Sequence, residues 1–315
     1  MPLQESKGDH VGDDRRHVLV IAHTGRRETL DAALTVLRLL EDGGVTPVLM
    51  DRERRDLAAV SDSAGSVALL GTDVAVEELE LVVVLGGDGT ILRGAEVVRG
   101  TPVPLLGVNL GHVGFLAEAE RDDLRDTIRR VVDRAWDVEE RLTVEVRVLQ
   151  DSDVVHTDWA LNEMTVEKAA RERMLEVVIE VDGRPLSSFG CDGVVVATPT
   201  GSTAYSFSAG GPVVWPTVDA MLMVPLSAHA LFARALVVPP TSVLAVEVLR
   251  RTDGTGVLWC DGRRTFDLAV GARVEVSASD APVRLARLHR AQDRFTDRLV
   301  RKFDLPVAGW RGPAA

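Results

Sequence analysis

The sequence predicts an α/β protein in two parts: an N-terminal half built on a parallel sheet with helices against it, and a β-rich C-terminal half. Strand-like apolar runs alternate with helix-period segments through residues 17–140. From about residue 141 apolar residues recur at every second position instead, and Asp-Gly pairs stand where hairpins turn. With 315 residues, 46% of them hydrophobic, the chain has enough apolar material for a sizeable core.

In the first half, HVLVIAH (17–23) reads as a strand. A helix follows with Leu30, Ala33, Leu34, Leu37 and Leu40 on one face and Gly43-Gly44 as its stop. TPVLM (46–50) is a second strand, and LVVVL (81–85) a third, unbroken and apolar as a strand covered on both faces should be. A short helix over 90–99 stops at Gly100, PLLGVN (104–109) is a fourth strand, and a helix follows with Leu124, Ile128, Val131 and Val132 inward. In the second half, LTVEVRVL (142–149) and LEVVIEV (175–181) alternate as half-buried antiparallel strands. Asp182-Gly183, Asp253-Gly254 and Asp261-Gly262 are hairpin signals. The expected division is a disordered tail over 1–16, an α/β domain over 17–140 and a β-rich domain over 141–288. Residues 289–315 pack back on the first domain through Leu299, Phe303 and Leu305.

Composition removes several classes of function. The net charge is −12, from 48 acidic and 36 basic residues, so a nucleic-acid partner or an anionic membrane is not expected. Only Lys7, Lys168 and Lys302 are lysines, and none stands in a Gly-Lys-Ser/Thr loop, so any nucleotide chemistry here needs another phosphate cradle. Cys191 and Cys260 make neither a disulfide framework nor a CxxC site, and the start of the chain has no signal-peptide core. Both observations point to the cytoplasm. The longest nearly apolar stretch, 220–233, contains Pro225 and His229 and is too short to span a bilayer. The seven histidines show no zinc spacing, so no protein metal site is expected; His229, in an apolar setting, reads as a core histidine.

Four strings carry chemistry. LGGDGTIL (85–92) lies where a buried strand meets a helix N-terminus, with Gly86, Gly87 and Gly89 allowing close backbone approach and free N–H groups facing a phosphate. Asp88 stands inside that anion site, as a general base, a metal positioner or a turn cap. GVNLGHVGFL (107–116) lacks the GxGxxG fingerprint and reads as a tight strand exit beside the first loop. In CDGVVVATPTGSTAYSFSAGGPVV (191–214) small hydroxyl residues and glycines surround Tyr205, the single tyrosine; these hydroxyls either meet a ligand or cap turns. In ALNEMTVEKAARERM (160–174), Asn162 and Glu163 interrupt an apolar run, an amide suited to a nucleotide edge and a carboxylate suited to ribose hydroxyls, or else a surface loop.

Together these strings resemble the bacterial NAD kinase family, from about residue 17 to about 312. GGDGT alone is shared with phosphofructokinase-like and diacylglycerol-kinase-like enzymes; GGDGT followed by NE and TPTGSTAY-FSAGGP is specific. The resemblance implies a Rossmann-like α/β domain, a β-rich domain, and an active site between them. It implies Asp88 as catalytic base, with Gly86, Gly87, Gly89, Thr90 and Arg93 at the nucleotide. Asn162, Glu163, Arg173 (with Arg171 as competitor), Asp192 and the segment Thr203, Ala204, Tyr205, Ser206, Phe207 and Ser208 are implied for NAD. Arg263 stands where several members carry Gln. The implied reaction moves the γ-phosphate of ATP to the ribose 2′-hydroxyl of NAD, giving NADP, with a divalent ion, Mg²⁺, entering with ATP, and members form homodimers and homotetramers. The alternatives are another GGDGT-type kinase of a lipid or small molecule, which this acidic chain does not favour, and a dinucleotide-binding regulator, to which Asp88 would be of no use.

Overall fold

The computed structural model describes residues 15–111, 114–170, 173–230, 233–252, 254–288 and 295–307. Most of the expected tail, His112, Arg171, the first residue of the Asp253-Gly254 turn and much of 289–315 lie outside the described residues.

The N-terminal half runs β1 (His17–Ala22), α1 (Arg27–Asp42), β2 (Thr46–Leu49), α2 (Asp51–Ala58), β3 (Ala68–Leu69), β4 (Leu79–Leu85), α3 (Asp88–Val97), β5 (Leu105–Asn109), β6 (Ala119–Glu120) and α4 (Leu124–Val132). Its strands are parallel, in the order β3-β2-β1-β4-β5. The chain leaves β1 toward β2 on one side and leaves β4 toward β5 on the other. The strand order therefore reverses between β1 and β4, and the crevice beyond their C-terminal ends is where such sheets bind ligands.

Helix α1 buries Ala33, Val36, Leu37 and Leu40 against one sheet face, each larger side chain contributing about 1.5–3 kcal/mol relative to exposure. It ends where the Gly43 N–H donates to the Leu39 carbonyl and Gly44 takes φ +72°. A Cβ on Gly43 would stand 2.5 Å from Cγ2 of Val132, so the glycine also lets α4 pack alongside. Helix α3 covers the opposite face with Ile91, Leu92 and Ala95.

The C-terminal half contains β7 (Asp137–Gln150), β8 (Asp153–Ala160), β9 (Glu163–Lys168), β10 (Leu175–Val181), β11 (Arg184–Cys191), β12 (Gly193–Ala197), the single turn α5 (Tyr205–Ser208), β13 (Met221–Leu226), β14 (Leu236–Val238), β15 (Leu244–Val248), β16 (Gly256–Cys260), β17 (Arg264–Leu268) and β18 (Arg273–Arg287), followed by α6 (Phe295–Phe303). A six-stranded sheet, β14-β13-β12-β9-β16-β17, packs on β7, β10, β15 and β18 around Val144, Val146, Val177, Met164, Val194 and Val274. The β10–β11 turn has φ of +53° at Asp182 and +72° at Gly183, the geometry that selects Asp-Gly in a two-residue hairpin.

Strand β18 joins the two halves. It pairs antiparallel with β7 from Arg273↔Leu149 to Arg287↔Asp137 and meets β5 in parallel at Leu285↔Leu105, so the parallel and antiparallel strands form one twelve-stranded sheet. The change of pattern near residue 140 thus falls inside a strand, since β7 already begins at Asp137. Helix α6 lies against Phe115 of the first half and Phe207 and Trp215 of the second, with Leu299 and Phe303 partly buried and Leu305 exposed. No described helix is long and apolar enough to cross a membrane.

Candidate active site

A cleft of about 450 Å³ opens at the switch between β1 and β4. Ala22, His23, Thr24 and Gly25 leave β1 on one side; Gly87, Gly89 and Thr90 open α3 on the other; Arg52, Arg93 and Arg263 complete the lining. Three guanidiniums and no carboxylate line this cleft in a chain of net charge −12, so its lining is locally cationic beside a helix N-terminus, an arrangement suited to an anion. Gly86 takes φ +155°, and a Cβ there would stand 2.5 Å from Oγ1 of Thr90, which is buried beneath the turn. Arg93 donates to Glu53 Oε1 (2.5 Å) and to the Ala22 carbonyl (2.9 Å), so part of its charge is already matched by a fully buried carboxylate.

Asp88 is the first residue of α3, after Gly87 as N-cap. Its carboxylate is turned toward the second glycine string. Oδ2 accepts the Phe115 N–H and Oδ1 accepts the Leu116 N–H, both at 3.1 Å. A Cβ on Gly114 would lie 2.3 Å from Oδ1, which is why the loop has a glycine there. Each oxygen takes one amide and retains acceptor capacity for a further proton donor.

Asn162 and Glu163 are buried, 8% and 7% exposed, so the surface-loop alternative does not hold. Leu161 before them packs with Ile91, Leu92, Leu116 and Ala117, which sets the pair beside the start of α3 and the Phe115–Leu116 loop. The Tyr205 N–H donates to Glu163 Oε2 at 3.3 Å. Asn162 offers its carbonyl to the Thr198 N–H, and a Cβ on Gly201 would lie 1.9 Å from that carbonyl oxygen, so the TPTGST loop seats directly on the pair. Its hydroxyls serve the turn. Thr198 Oγ1 donates to the Leu161 carbonyl, Ser202 Oγ donates to the Pro199 carbonyl and accepts the Val214 N–H, and Thr203 Oγ1 donates to the Thr200 carbonyl. Ser206 is buried against Gly211, and the Phe207 ring packs on Phe303. Tyr205 and Ser208 face solvent, Ala204 is half-buried, and Arg173 is exposed.

Asp261 escapes a sequence reading because it looks like a hairpin aspartate. It does occupy the β16–β17 turn, at φ +53°, but its carboxylate is buried and accepts the Leu161 and Asn162 N–H groups at 3.0 and 2.7 Å. Arg264 approaches it at 3.6 Å and reaches Glu96 of α3 at 2.5 Å, where Arg263 also pairs at 2.8 Å. The helix that carries Asp88 and the strand that carries Glu163 are thus tied through one hairpin. Burial and the neighbouring Asp261 push the Glu163 carboxyl up to about 8, only partly opposed by the Tyr205 N–H. Burial raises Asp261 as well, opposed by the Leu161, Asn162 and Glu163 backbone amides and by Arg264.

One further residue departs from expectation, and Asp192 has a partner the sequence did not show. His229 is exposed rather than in a core, its N–H donating to the Gly190 carbonyl, because the apolar run around it leaves the sheet after Leu226. Asp192 is paired with Lys168 at 2.5 Å, which holds its carboxyl below the usual range together with Ser227 and His229. The cleft residues Thr24, Gly25 and Arg52 were not singled out by the sequence; their signal was the exit of a strand neighbouring the GGDGT strand.

Two family models match the chain: the ATP-NAD kinase N-terminal domain over residues 18–136 and the ATP-NAD kinase C-terminal domain over residues 161–288. The NAD kinase of Leifsonia xyli subsp. xyli is 66% identical over 299 residues, covering 95% of this chain and 98% of that protein. The crystal structure of an NAD kinase from Archaeoglobus fulgidus in complex with ATP superposes with a TM-score of 0.69 at 25% identity, over 93% of this chain and 100% of that one. Yeast NADH kinase complexed with NADH shares the fold, with a TM-score of 0.82 at 23% identity over 94% of this chain and 89% of that one.

The Glu163 environment predicts a pH signature of stability. Its carboxyl lies at about 8 in the folded chain against 4.5 ordinarily, so the folded state binds the proton more tightly. The resulting stabilisation is fully present below the unfolded value and is lost as pH rises through the folded one. Glu163→Gln, which imitates the neutral acid, should leave Tm nearly unchanged at pH 5 and raise it over wild type at pH 8.5 by at least about 2 °C. A difference in Tm that is constant across that range, by calorimetry, would show Glu163 ionised in the folded protein.

Proposed function

The chain belongs to the ATP-NAD kinase family, and from that premise we propose that it moves the γ-phosphoryl group of ATP to the adenosine ribose 2′-hydroxyl of NAD, giving NADP, with Asp88 as general base. The observation that carries this reading is the Asp88 carboxylate, fixed by two backbone amides beside an arginine-lined anion cleft. A carboxylate weakens phosphate binding, so its place there needs a chemical reason, and taking or orienting a hydroxyl proton supplies one.

The amides of Gly87 and Gly89, with Gly86 shaping the turn, Thr90 in the lining and Arg52, Arg93 and Arg263 on the walls, would cradle the donor phosphates. Asn162 and Glu163 would hold the acceptor dinucleotide through its polar edges, with the Tyr205 ring beside them and the backbone of Thr203, Ala204, Ser206, Phe207 and Ser208 forming the wall. Asp192 and Arg173 are assigned to the rim of that site. The 2′-oxygen attacks the γ-phosphorus in line with the bond to the β-phosphate oxygen. As the new P–O bond forms, the hydroxyl proton passes to Asp88, and ADP departs with the electrons of the broken bond. The division of labour largely follows the chain, with residues 17–140 serving the phosphates and 141–288 the dinucleotide, Arg263 excepted.

Among the described residues no three histidine, cysteine or acidic side chains converge on a metal position. In this reading the divalent ion enters with the substrate, as the Mg²⁺ complex of ATP, held by phosphate oxygens and water. Catalysis by the chain itself is positioning and charge stabilisation, which amides and arginine provide without lysine. The buried, unpaired Cys191 and Cys260 suit a reducing cytoplasm, and a homodimer or homotetramer remains part of this reading.

The direct test is incubation with NAD and MgATP and detection of NADP by a NADP-specific dehydrogenase. Absence of product with folded protein would overturn the reading. Asp88→Asn should lower kcat by about 10²–10⁴ while calorimetric NAD affinity stays within a few-fold of wild type; a variant above roughly a tenth of wild-type kcat removes the base role. Dinucleotide lacking the 2′-hydroxyl should bind and remain unphosphorylated, and phosphate transfer to it would place the reaction at another oxygen. Tyr205→Phe should keep NAD affinity and Tyr205→Ala should weaken it, because a ring stacks whether or not it carries the phenol; equal losses would assign the contact to the hydroxyl.

A further inference from the structure

The bonds that hold Asp88 come from Phe115 and Leu116, and that loop is itself held from outside. Arg298 of α6 is 5% exposed, and its Nη1 donates to the Phe115 carbonyl at 3.0 Å. Its Nη2 donates to Glu118 Oε2 at 2.8 Å. Glu118, 4% exposed, also accepts Arg287 Nη1 at 2.7 Å and, through Oε1, the Leu288 N–H at 2.9 Å, which anchors the loop to the end of β18. One planar guanidinium thus grips the loop twice, at the carbonyl of the residue whose N–H meets Asp88 and at a carboxylate three positions on.

Aromatic packing sets the helix that carries this arginine. Phe303 lies 5.8 Å from the Phe115 ring and 4.5 Å from Phe207, and Phe295 lies 5.9 Å from Phe115 and 4.9 Å from Trp215, between ring centroids. The helix therefore spans the loop that holds Asp88 and the segment that holds Tyr205. Neither Arg298 nor Glu118 lines the cleft. Charge neutralisation does not require Arg298, because Glu118 already has Arg287. The second bond, to the Phe115 carbonyl, is what a guanidinium fork supplies and a simple counterion does not.

We propose that Arg298 is a positioning residue for Asp88: it fixes the Phe115 peptide so that the Phe115 and Leu116 amides hold the carboxylate in one orientation toward the acceptor hydroxyl. This rests on the reading of Asp88 as general base. The chain of contacts is continuous: Arg298 to the Phe115 carbonyl, the Phe115 and Leu116 N–H groups to Asp88. A carboxylate released from that orientation remains in the site but loses alignment with the hydroxyl, and misplacement by about 1 Å can cost on the order of 10²-fold in rate.

The test is a double-mutant cycle in kcat. Arg298→Met, which removes both bonds, should lower kcat by about 10- to 100-fold with KM for NAD and for MgATP within a few-fold of wild type. Arg298→Gln is equally uncharged but retains a donor for the Phe115 carbonyl, and should keep several-fold more kcat than Met. In the Asp88→Asn background either substitution should change kcat little, because the group it positions is gone. Losses that multiply across the cycle, equal kcat for Met and Gln, or a Met variant that raises KM without lowering kcat would each overturn the proposal. If Arg298→Met fails to fold, the cycle with Arg298→Gln decides it in the same way. Failure of the underlying reading is separately visible, as near-normal kcat in Asp88→Asn alone.

Discussion

The two hydrogen bonds from Phe115 and Leu116 to the Asp88 carboxylate are the constraint around which the site is arranged. A helix N-terminus offers free amides to any anion, and a side-chain carboxylate on its first residue would fold back and occupy them unless something else held it. Here the neighbouring strand exit supplies the competing amides. Asp88 is drawn toward the β5 side, while Gly87, Gly89 and Thr90 line the cleft. The glycine at 114 follows directly, since any side chain there would occupy the space of the carboxylate. One interaction thus keeps the Asp88 carboxylate apart from the arginine-lined cleft on adjacent residues of the same turn.

The rest of the molecule keeps the two halves in register with that turn. Strand β18 supplies the covalent and hydrogen-bonded frame. The charged chain from Asp261 through Arg264 to Glu96 ties the strand carrying Glu163 to the helix carrying Asp88. Removing one partner of such a buried pair strands the other charge, whereas a well-packed apolar substitute for the whole pair can be neutral or stabilising. Their worth here is directional. Apolar packing around Leu161 brings the parts together, and the carboxylate of Asp261 sets which way the Asn162 peptide faces.

Much of this was legible in the sequence, for identifiable reasons. The parallel strands announce themselves because burial on both faces demands unbroken apolar runs such as residues 81–85. Hairpins at Asp182-Gly183 and Asp261-Gly262 are legible because two consecutive positive φ angles restrict the choice of residue. The turn at Asp151-Ser152, with φ of +50° and +75°, carries no glycine and was not read. GGDGT, the NE pair and the TPTGSTAY string were read as chemistry, and they converge. What stayed hidden were roles defined by a partner distant in sequence. Asp261 is a turn residue by its neighbours and a support of Asn162 only by its contact 99 positions away. Arg298 looks like one more charge on an amphipathic helix, and its partner Phe115 lies 183 positions earlier. His229 failed in the opposite sense: local apolarity suggested burial, yet the chain had already left the sheet.

The scarcity of lysine shows which parts of the chemistry depend on residue type and which on geometry. A phosphate cradle made of amides needs only backbone direction, which a glycine turn at a helix N-terminus can supply whatever the preference among basic residues. The surrounding positive charge comes from Arg52, Arg93 and Arg263, the last of which makes a two-bond fork on Glu96. Arg93 illustrates the consequence. It lines the cleft while donating to Glu53 and the Ala22 carbonyl, so its position is set before any phosphate arrives. Arg263, paired with Glu96, is prepositioned in the same way. A flexible ammonium would have to be ordered on binding, at a cost of about 0.5–1.5 kcal/mol for each immobilised side chain. The carboxylates beneath the cleft therefore fix where its guanidiniums stand, beside the N-terminus of α3.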